Sequence, residues 1–390
     1  SRAAATGAMS TIVRKANFAS EGSIPVATSE SVGPFGTYDM AGNVREWVAN
    51  EFGTQHFILG GGWTDLSYAF VDAYAQAPLD RSPTNGVRLI RREANDSTPA
   101  FAWAGVARQM RDYRRERPVG DAVYRTLAGT FVYDPIPVDA VTESVDSTDA
   151  DFVREVVTVS TVYGDERMPI HIFRPHGPAR ARQVVVLFPG SNAFGETVRG
   201  DPRNISIDAI VRSGRIVVWP TYASQYERRH TLDSDAPRET AKYRDHVAMW
   251  VKDARRTVDY VVTRPDVDTA RIGYLGVSFG GRMAPIILAL EPRFKAAMLN
   301  VAGLKMERPR PESDPLNFLP RVRIPVLMLN GEFDHYFPLE TSQKPFFAML
   351  GTPAAQKRHV VFQGGHSVPR TIFLSEGLRW FDTYLGPVER

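Results

Sequence analysis

From residue 183 to residue 384, short apolar runs alternate with longer stretches whose apolar positions recur every three or four residues. The runs at 183–188, 215–220, 272–275, 296–300, 326–330 and 359–362 are rich in Val, Ile and Leu, as strands buried on both faces must be. The segments 205–213, 239–263, 279–290, 343–350 and 373–384 carry the helical period. Strand and helix in regular succession predict an α/β fold with a mostly parallel central sheet. Two further β-branched runs, 155–163 and 168–174, flank Gly164-Asp165 and predict a hairpin at the start of that sheet.

Upstream the pattern is different. Phe101, Trp103, Val106, Met110 and Tyr113 are spaced to share one helix face, and 121–127 reads as a second helix, so 93–151 is expected to be a helical connector with an exposed loop at 142–151. Residues 1–92 are short apolar words punctuated by Gly, Pro, Ser and Asn, which predict an irregular segment. The expected division is therefore 1–92, 93–151 and 152–390. The polar, aperiodic stretches 222–238 and 305–319 are expected to form a rim or lid.

Composition narrows the function. The chain of 390 residues is 43% hydrophobic and 23% charged, with 47 basic against 44 acidic residues and a net charge of +3. So even a balance gives no ground for a nucleic-acid partner. The absence of cysteine excludes disulfides, thiolate metal sites and a cysteine nucleophile. No apolar run reaches the roughly 18 residues of a membrane span. The start, Ser1-Arg2-Ala3, lacks an initiator Met and a signal core, so a fragment of a larger protein is expected, with no indication of compartment.

The chemistry gathers on Gly276-Val277-Ser278-Phe279-Gly280, a predicted strand running into a predicted helix. A serine hydroxyl becomes a nucleophile only beside a base, and a tight strand-to-helix turn flanked by glycines exposes it to one. In α/β-hydrolases a carboxylate and then a histidine follow in the chain. Asp334 lies just past the strand 326–330 and His366 just past the strand 359–362, both at strand C-termini, where open parallel sheets hold their sites. Glu332 is the rival acid, while His335 is expected at the pocket rim. The oxyanion hole is assigned to the backbone N–H groups of Phe279 and Ser191, although Pro189 stands where relatives often carry a His-Gly pair. Phe194, Tyr222, Tyr336 and Phe337 are expected to line an acyl pocket, with core packing as the alternative for each.

Residues 152–387 resemble the dienelactone-hydrolase and prolyl-oligopeptidase branch of the α/β-hydrolases, through the segments 266–281, 291–297, 325–331 and Gly364-Gly365-His366. The resemblance implies hydrolysis of a small-molecule carboxylic ester through Ser278, His366 and Asp334 with no cofactor. A peptidase or acyltransferase is the alternative, and a non-catalytic binding module is the third reading. Dienelactone hydrolases proper use a cysteine nucleophile, which this chain lacks. The runs Gly36–Trp47, Ile58–Trp63 and Asn85–Arg88 resemble the C-terminal part of the formylglycine-generating-enzyme (sulfatase-modifying factor) fold. Members with oxidase activity use a cysteine pair that is missing here, so that activity is not expected. This second resemblance also implies a structural calcium on the Asp39 and Glu46 carboxylates and the Gly42 and Val44 carbonyls. The alternative is that Asp39 caps a turn and Glu46 is a solvated helix residue. A formylglycine-type segment followed by such a hydrolase is similar to the C-terminal portion of bacterial kinase-linked multidomain proteins.

Overall fold

A computed structural model describes residues 12, 15–33, 35–65, 70, 74–91, 99–105, 111–178, 180–194, 196, 199–232, 234–332, 334 and 336–388. The chain divides into two compact units, Ser1–Gln109 and Met110–Arg390.

The first unit contains a four-stranded sheet, β1 (Arg45–Phe52), β2 (Gln55–Leu59), β3 (Tyr74–Gln76) and β4 (Asn85–Gly86), in the order β3-β2-β1-β4. Four short strands thus run through the segment whose sequence reads as irregular. What hides the strands is their shortness and the density of glycines that fix the turns. Gly42 sits at φ +70°, and a Cβ there would lie 2.6 Å from the Asn17 carbonyl oxygen, so only glycine fits. Buried Arg45 donates to both carboxylate oxygens of Asp65, at 3.0 and 2.5 Å, and ties β1 to the turn after β2.

The helix expected over 101–113 is not found in the described residues: Ala100–Trp103 is a single 3-10 turn, while Val106 and Met110 lie outside them. Residues from 110 onward belong to the second unit. Arg111 reaches the Asp314 carboxylate at 2.7 Å, and Arg256 donates to the Ile136 and Pro137 carbonyls. The second predicted helix is present as α1 (Asp121–Ala128). The expected loop at 142–151 contains instead a strand, β5 (Val141–Asp146), paired antiparallel with β6 (Val153–Ser160). Every β5 residue is exposed, so no apolar alternation marks it as a strand.

The large sheet continues through β7 (Arg167–Arg174), β8 (Arg182–Phe188), β9 (Ile216–Pro220), β10 (Val267–Val277), β11 (Phe294–Asn300), β12 (Val326–Gly331) and β13 (Lys357–Phe362), in the order β13-β12-β11-β10-β8-β9-β7-β6-β5. From β13 to β9 all pairings are parallel; β7, β6 and β5 are antiparallel. Alternate side chains feed two cores, one on each face. Val184, Val186 and Phe188 meet Trp250 and Ile287, from α3 (Ala241–Val261) and α4 (Phe279–Leu290). Val185 and Leu187 meet Ile210 of α2 (Ile207–Arg212) and Phe381 of the final helical segment. Both faces being covered is why these strands read as unbroken apolar runs. Among the described residues no helix is long and apolar enough to cross a membrane.

The stretches expected as lids are anchored. Ala223 through Tyr226 are buried, Trp250 donates to the Ala223 carbonyl at 2.8 Å, and Arg228 donates to Asp253 at 2.8 Å. Leu316, Phe318 and Leu319 belong to the core.

Candidate active site

Ser278 caps the junction between β10 and α4 with φ 51° and ψ −102°, a conformation that costs a non-glycine residue on the order of 1–3 kcal/mol. The surroundings hold it there. The Ser278 N–H donates to the Asn300 carbonyl at 2.8 Å, the Gly280 N–H donates to the Pro189 carbonyl at 3.1 Å, and the Tyr274 hydroxyl donates to the Gly280 carbonyl at 2.7 Å. A Cβ on Gly276 would lie 2.6 Å from the Gly280 oxygen, and one on Gly280 would lie 2.1 Å from the Phe188 oxygen. Both glycines are required by contact with backbone that cannot move aside.

The structure brings Ser278, His366 and Asp334 into one hydrogen-bonded chain. Ser278 Oγ lies 2.7 Å from His366 Nε2, and His366 Nδ1 lies 2.7 Å from Asp334 Oδ2. The other Asp334 oxygen accepts the Tyr336 and Phe337 N–H groups at 2.9 and 3.1 Å, so the carboxylate is held from both sides. The His366 side chain is 6% exposed and that of Asp334 fully buried. Because Asp334 is the natural acceptor for Nδ1–H, the ring's free lone pair sits on Nε2, facing the serine. Glu332 is exposed, its N–H spent on the Phe362 carbonyl. His335 lies outside the described residues.

Phe279 is the first residue of α4, so its N–H has no acceptor one turn back. Ser191 opens a 3-10 turn, Ser191–Phe194, just after β8. That turn abuts the serine, since a Cβ on Gly190 would stand 3.6 Å from Ser278 Cβ and 3.3 Å from Asn192 Oδ1. Gly190 was not among the predicted site residues; its signal is that it directly precedes Ser191 in the turn after an early strand.

The four aromatics divide. Tyr336 and Phe337 face the His366 ring at centroid distances of 4.6 and 5.6 Å. Tyr222 is fully buried, stacked on Phe188 at 3.8 Å with its hydroxyl on the Leu187 carbonyl, so it is a core residue rather than a pocket wall. Phe194 packs on Trp250 and Phe279 and belongs to the same core. Their partners come from β8, α3 and α4, beyond the reach of local sequence. Sequence reasoning also missed Gln343, whose amide donates to the Gly331 and Phe337 carbonyls at 2.9 and 2.7 Å and closes the loop that carries Asp334.

In the first unit the two carboxylates expected to hold calcium are already engaged by donors of the protein. Glu46 lies on a strand, not a helix, and both its oxygens accept from Arg88, at 2.6 to 3.0 Å. Asp39 accepts from the Ala27 N–H at 2.8 Å and from the Ser29 hydroxyl. Val44 packs against Gly86, and Gly42 is wedged on Asn17. A guanidinium already supplies the positive charge beside Glu46.

The sulfatase-modifying factor enzyme 1-like domain matches residues 6–93, and the dienelactone hydrolase family matches residues 168–364, half of the chain. Acetyl xylan esterase 1 from Thermoanaerobacterium sp. JW/SL YS485 superposes with a TM-score of 0.52 at 14% identity, over 68% of this chain and 94% of that one. An acetyl xylan esterase from Paenibacillus sp. R4 does so with a TM-score of 0.50 at 16% identity, over 67% and 92%. A Bacillus subtilis (strain 168) protein named uncharacterized peptidase YuxL is 28% identical over 166 residues, 34% of this chain and 25% of that one. The chain thus spans about a quarter of the length of that relative. With an α/β-hydrolase sheet, a strained serine at the β10–α4 junction and a match through most of that sheet, the chain belongs to the dienelactone hydrolase family.

Proposed function

We propose that the second unit is a serine esterase that cleaves small-molecule carboxylic esters through an acyl-enzyme. The observation that carries this reading is the chain of two 2.7 Å hydrogen bonds from Ser278 Oγ through His366 to Asp334. Ser278 Oγ attacks the ester carbonyl carbon while His366 Nε2 takes its proton, and the Asp334 carboxylate steadies the imidazolium. The N–H groups of Phe279 and Ser191 receive the developing oxyanion. Collapse of the tetrahedral adduct breaks the bond to the alkoxide, which leaves as the alcohol with the proton from His366. Water then repeats the sequence on the acyl-enzyme, giving up a proton to His366, and the carboxylic acid departs with Ser278 restored. No step calls on a cofactor.

A peptidase is the second reading, favoured by the name of the Bacillus subtilis relative. Hydrolysis of p-nitrophenyl acetate and butyrate set beside a prolyl-peptide anilide separates the two. Ester turnover that disappears in Ser278→Ala is expected. Anilide cleavage exceeding ester cleavage would move the assignment to a peptidase, and undiminished turnover in Ser278→Ala would overturn the serine mechanism altogether.

A further inference from the structure

On the antiparallel side of the large sheet a cavity of about 260 Å³ opens among Arg154, Phe173, Arg199, Trp219 and Glu227. None of Ser278, Asp334 or His366 lines it. Sheet register assembles it: His171 pairs with Trp219 across β7 and β9, and Arg154 pairs with Phe173 across β6 and β7. Arg199 lies over the Trp219 and Tyr226 rings, at 5.5 and 4.6 Å from their centroids.

In and beside its lining are buried donor atoms without an acceptor. Arg199 Nε and Trp219 Nε1, in the lining, and His171 Nε2, on the neighbouring strand position, are buried without a hydrogen-bond partner, while the other two Arg199 nitrogens donate to Glu227 and to the Thr221 hydroxyl. His171 carries its proton on Nε2, because Arg154 Nη2 lies 3.0 Å from Nδ1 and an arginine can only donate. Burial holds that ring's pKa below the usual histidine value, so it is neutral. Its Nε2 stands 3.8 Å from Glu227, too far for a hydrogen bond. Glu227 itself is engaged by Arg199 at 3.1 Å and by the Thr221 hydroxyl at 3.1 Å. Two guanidinium groups, Arg154 and Arg199, line the cavity together with one carboxylate, Glu227; Asp146, opposite Arg154 in the β5–β6 register, stands outside the lining. Buried donors of this kind are costly unless a ligand or ordered water supplies acceptors.

We propose that this cavity is a second small-molecule site, separate from Ser278, that takes a monocarboxylate carried on a small apolar or aromatic body. A carboxylate offers acceptors only and one negative charge, which matches the unpaired donors and the two guanidinium groups of the lining. Phe173 and Trp219 suit an apolar body, and since a cavity of about 150 Å³ accepts benzene, this one has room for benzoate.

The probe is sodium benzoate, with benzamide as its uncharged control, titrated calorimetrically at fixed ionic strength into the full chain after Ser278 has been sulfonylated by phenylmethanesulfonyl fluoride. Blocking Ser278 keeps benzoate from registering as a product analogue at the esterase site. Benzoate is expected to bind one-to-one, with benzamide about tenfold weaker or worse. Trp219→Phe, which keeps the ring and removes the N–H, and Arg199→Lys should each weaken benzoate by roughly tenfold, while unblocked variants keep ester turnover within about twofold of wild type. Should Arg199→Lys fail to fold, the indole N–H resonance assigned through Trp219→Phe gives an independent reading and should move on adding benzoate. No binding to the blocked protein, equal binding of benzamide, or unchanged benzoate affinity in Trp219→Phe would each overturn the site and leave its donors to ordered water.

Discussion

Asp334 holds His366 with one carboxylate oxygen, at 2.7 Å, and is itself held by the Tyr336 and Phe337 N–H groups on the other. The acid is therefore fixed by backbone, and substituting it tests orientation more than packing. Asp334→Asn should lower ester turnover by about 10²–10⁴-fold, because the amide favours the wrong imidazole tautomer. Glu332→Gln, at an exposed position, should leave turnover within about twofold. Steady-state kinetics on both variants decide, and the reverse ranking would make Glu332 the acid.

Gln343 acts through Asp334 rather than on substrate, by bridging the Gly331 and Phe337 carbonyls. Gln343→Met keeps the length of the side chain and removes both donors, leaving two buried carbonyls short of a partner. The expected loss of stability is about 1–3 kcal/mol. The kinetic signature of a positioning residue is a fall in kcat of roughly tenfold with KM little changed. A variant that lost stability alone, with kcat intact, would show the bridge to be structural only.

His359 gives the fold a pH dependence of known sign. Burial, with a smaller contribution from the Lys344 charge, pushes its pKa down to about 4, whereas an unfolded histidine titrates near ~6.5. The native state keeps the ring neutral while the unfolded state takes up a proton, so this contribution is fully present above about pH 6.5 and is lost progressively as the pH falls towards about 4. Denaturant midpoints measured at pH 7.5 and 5.0 for wild type and His359→Gln should show a smaller acid-side loss in the variant. Parallel losses would remove His359 from the account.

In the first unit Arg88 occupies the charge position that the calcium expectation reserved for a metal. Millimolar calcium should accordingly leave the melting temperature unchanged, and EDTA likewise, since a ligand stabilises only what it binds in the native state. Arg88→Met should cost about 1 kcal/mol through the lost bidentate pair with Glu46. A rise of several degrees with calcium, abolished in Glu46→Gln, would show that Arg88 yields its place to the ion.

The parts of the fold that were legible in sequence are those whose signals are local. Each strand from β8 to β13 is an apolar run, and Ser278, Asp334 and His366 each sit just past the end of one, so pattern and chain order sufficed to nominate them. What was not legible depends on distant partners. The stretch 222–238 looks like a polar lid until Arg228 meets Asp253, 25 residues on, and Glu46 looks like a calcium ligand until Arg88, 42 residues on, reaches it. Tyr222 and Phe194 sit near strand ends, as pocket aromatics do, but Phe188 and Trp250 draw them inward.

The fully exposed strand β5 has a bearing on how the protein behaves at high concentration. It terminates one end of the nine-stranded sheet and among the described residues pairs only with β6, so its outer backbone groups form an open template for another chain. Glu143 and Asp146 break the run of Val141, Thr142 and Val145 along that rim with negative charge. Like charges meeting across a would-be strand pair repel, and this keeps lateral stacking of molecules unfavourable at neutral pH. Neutralising both residues would turn the rim into a six-residue, low-charge, β-prone stretch, the composition that seeds intermolecular sheets.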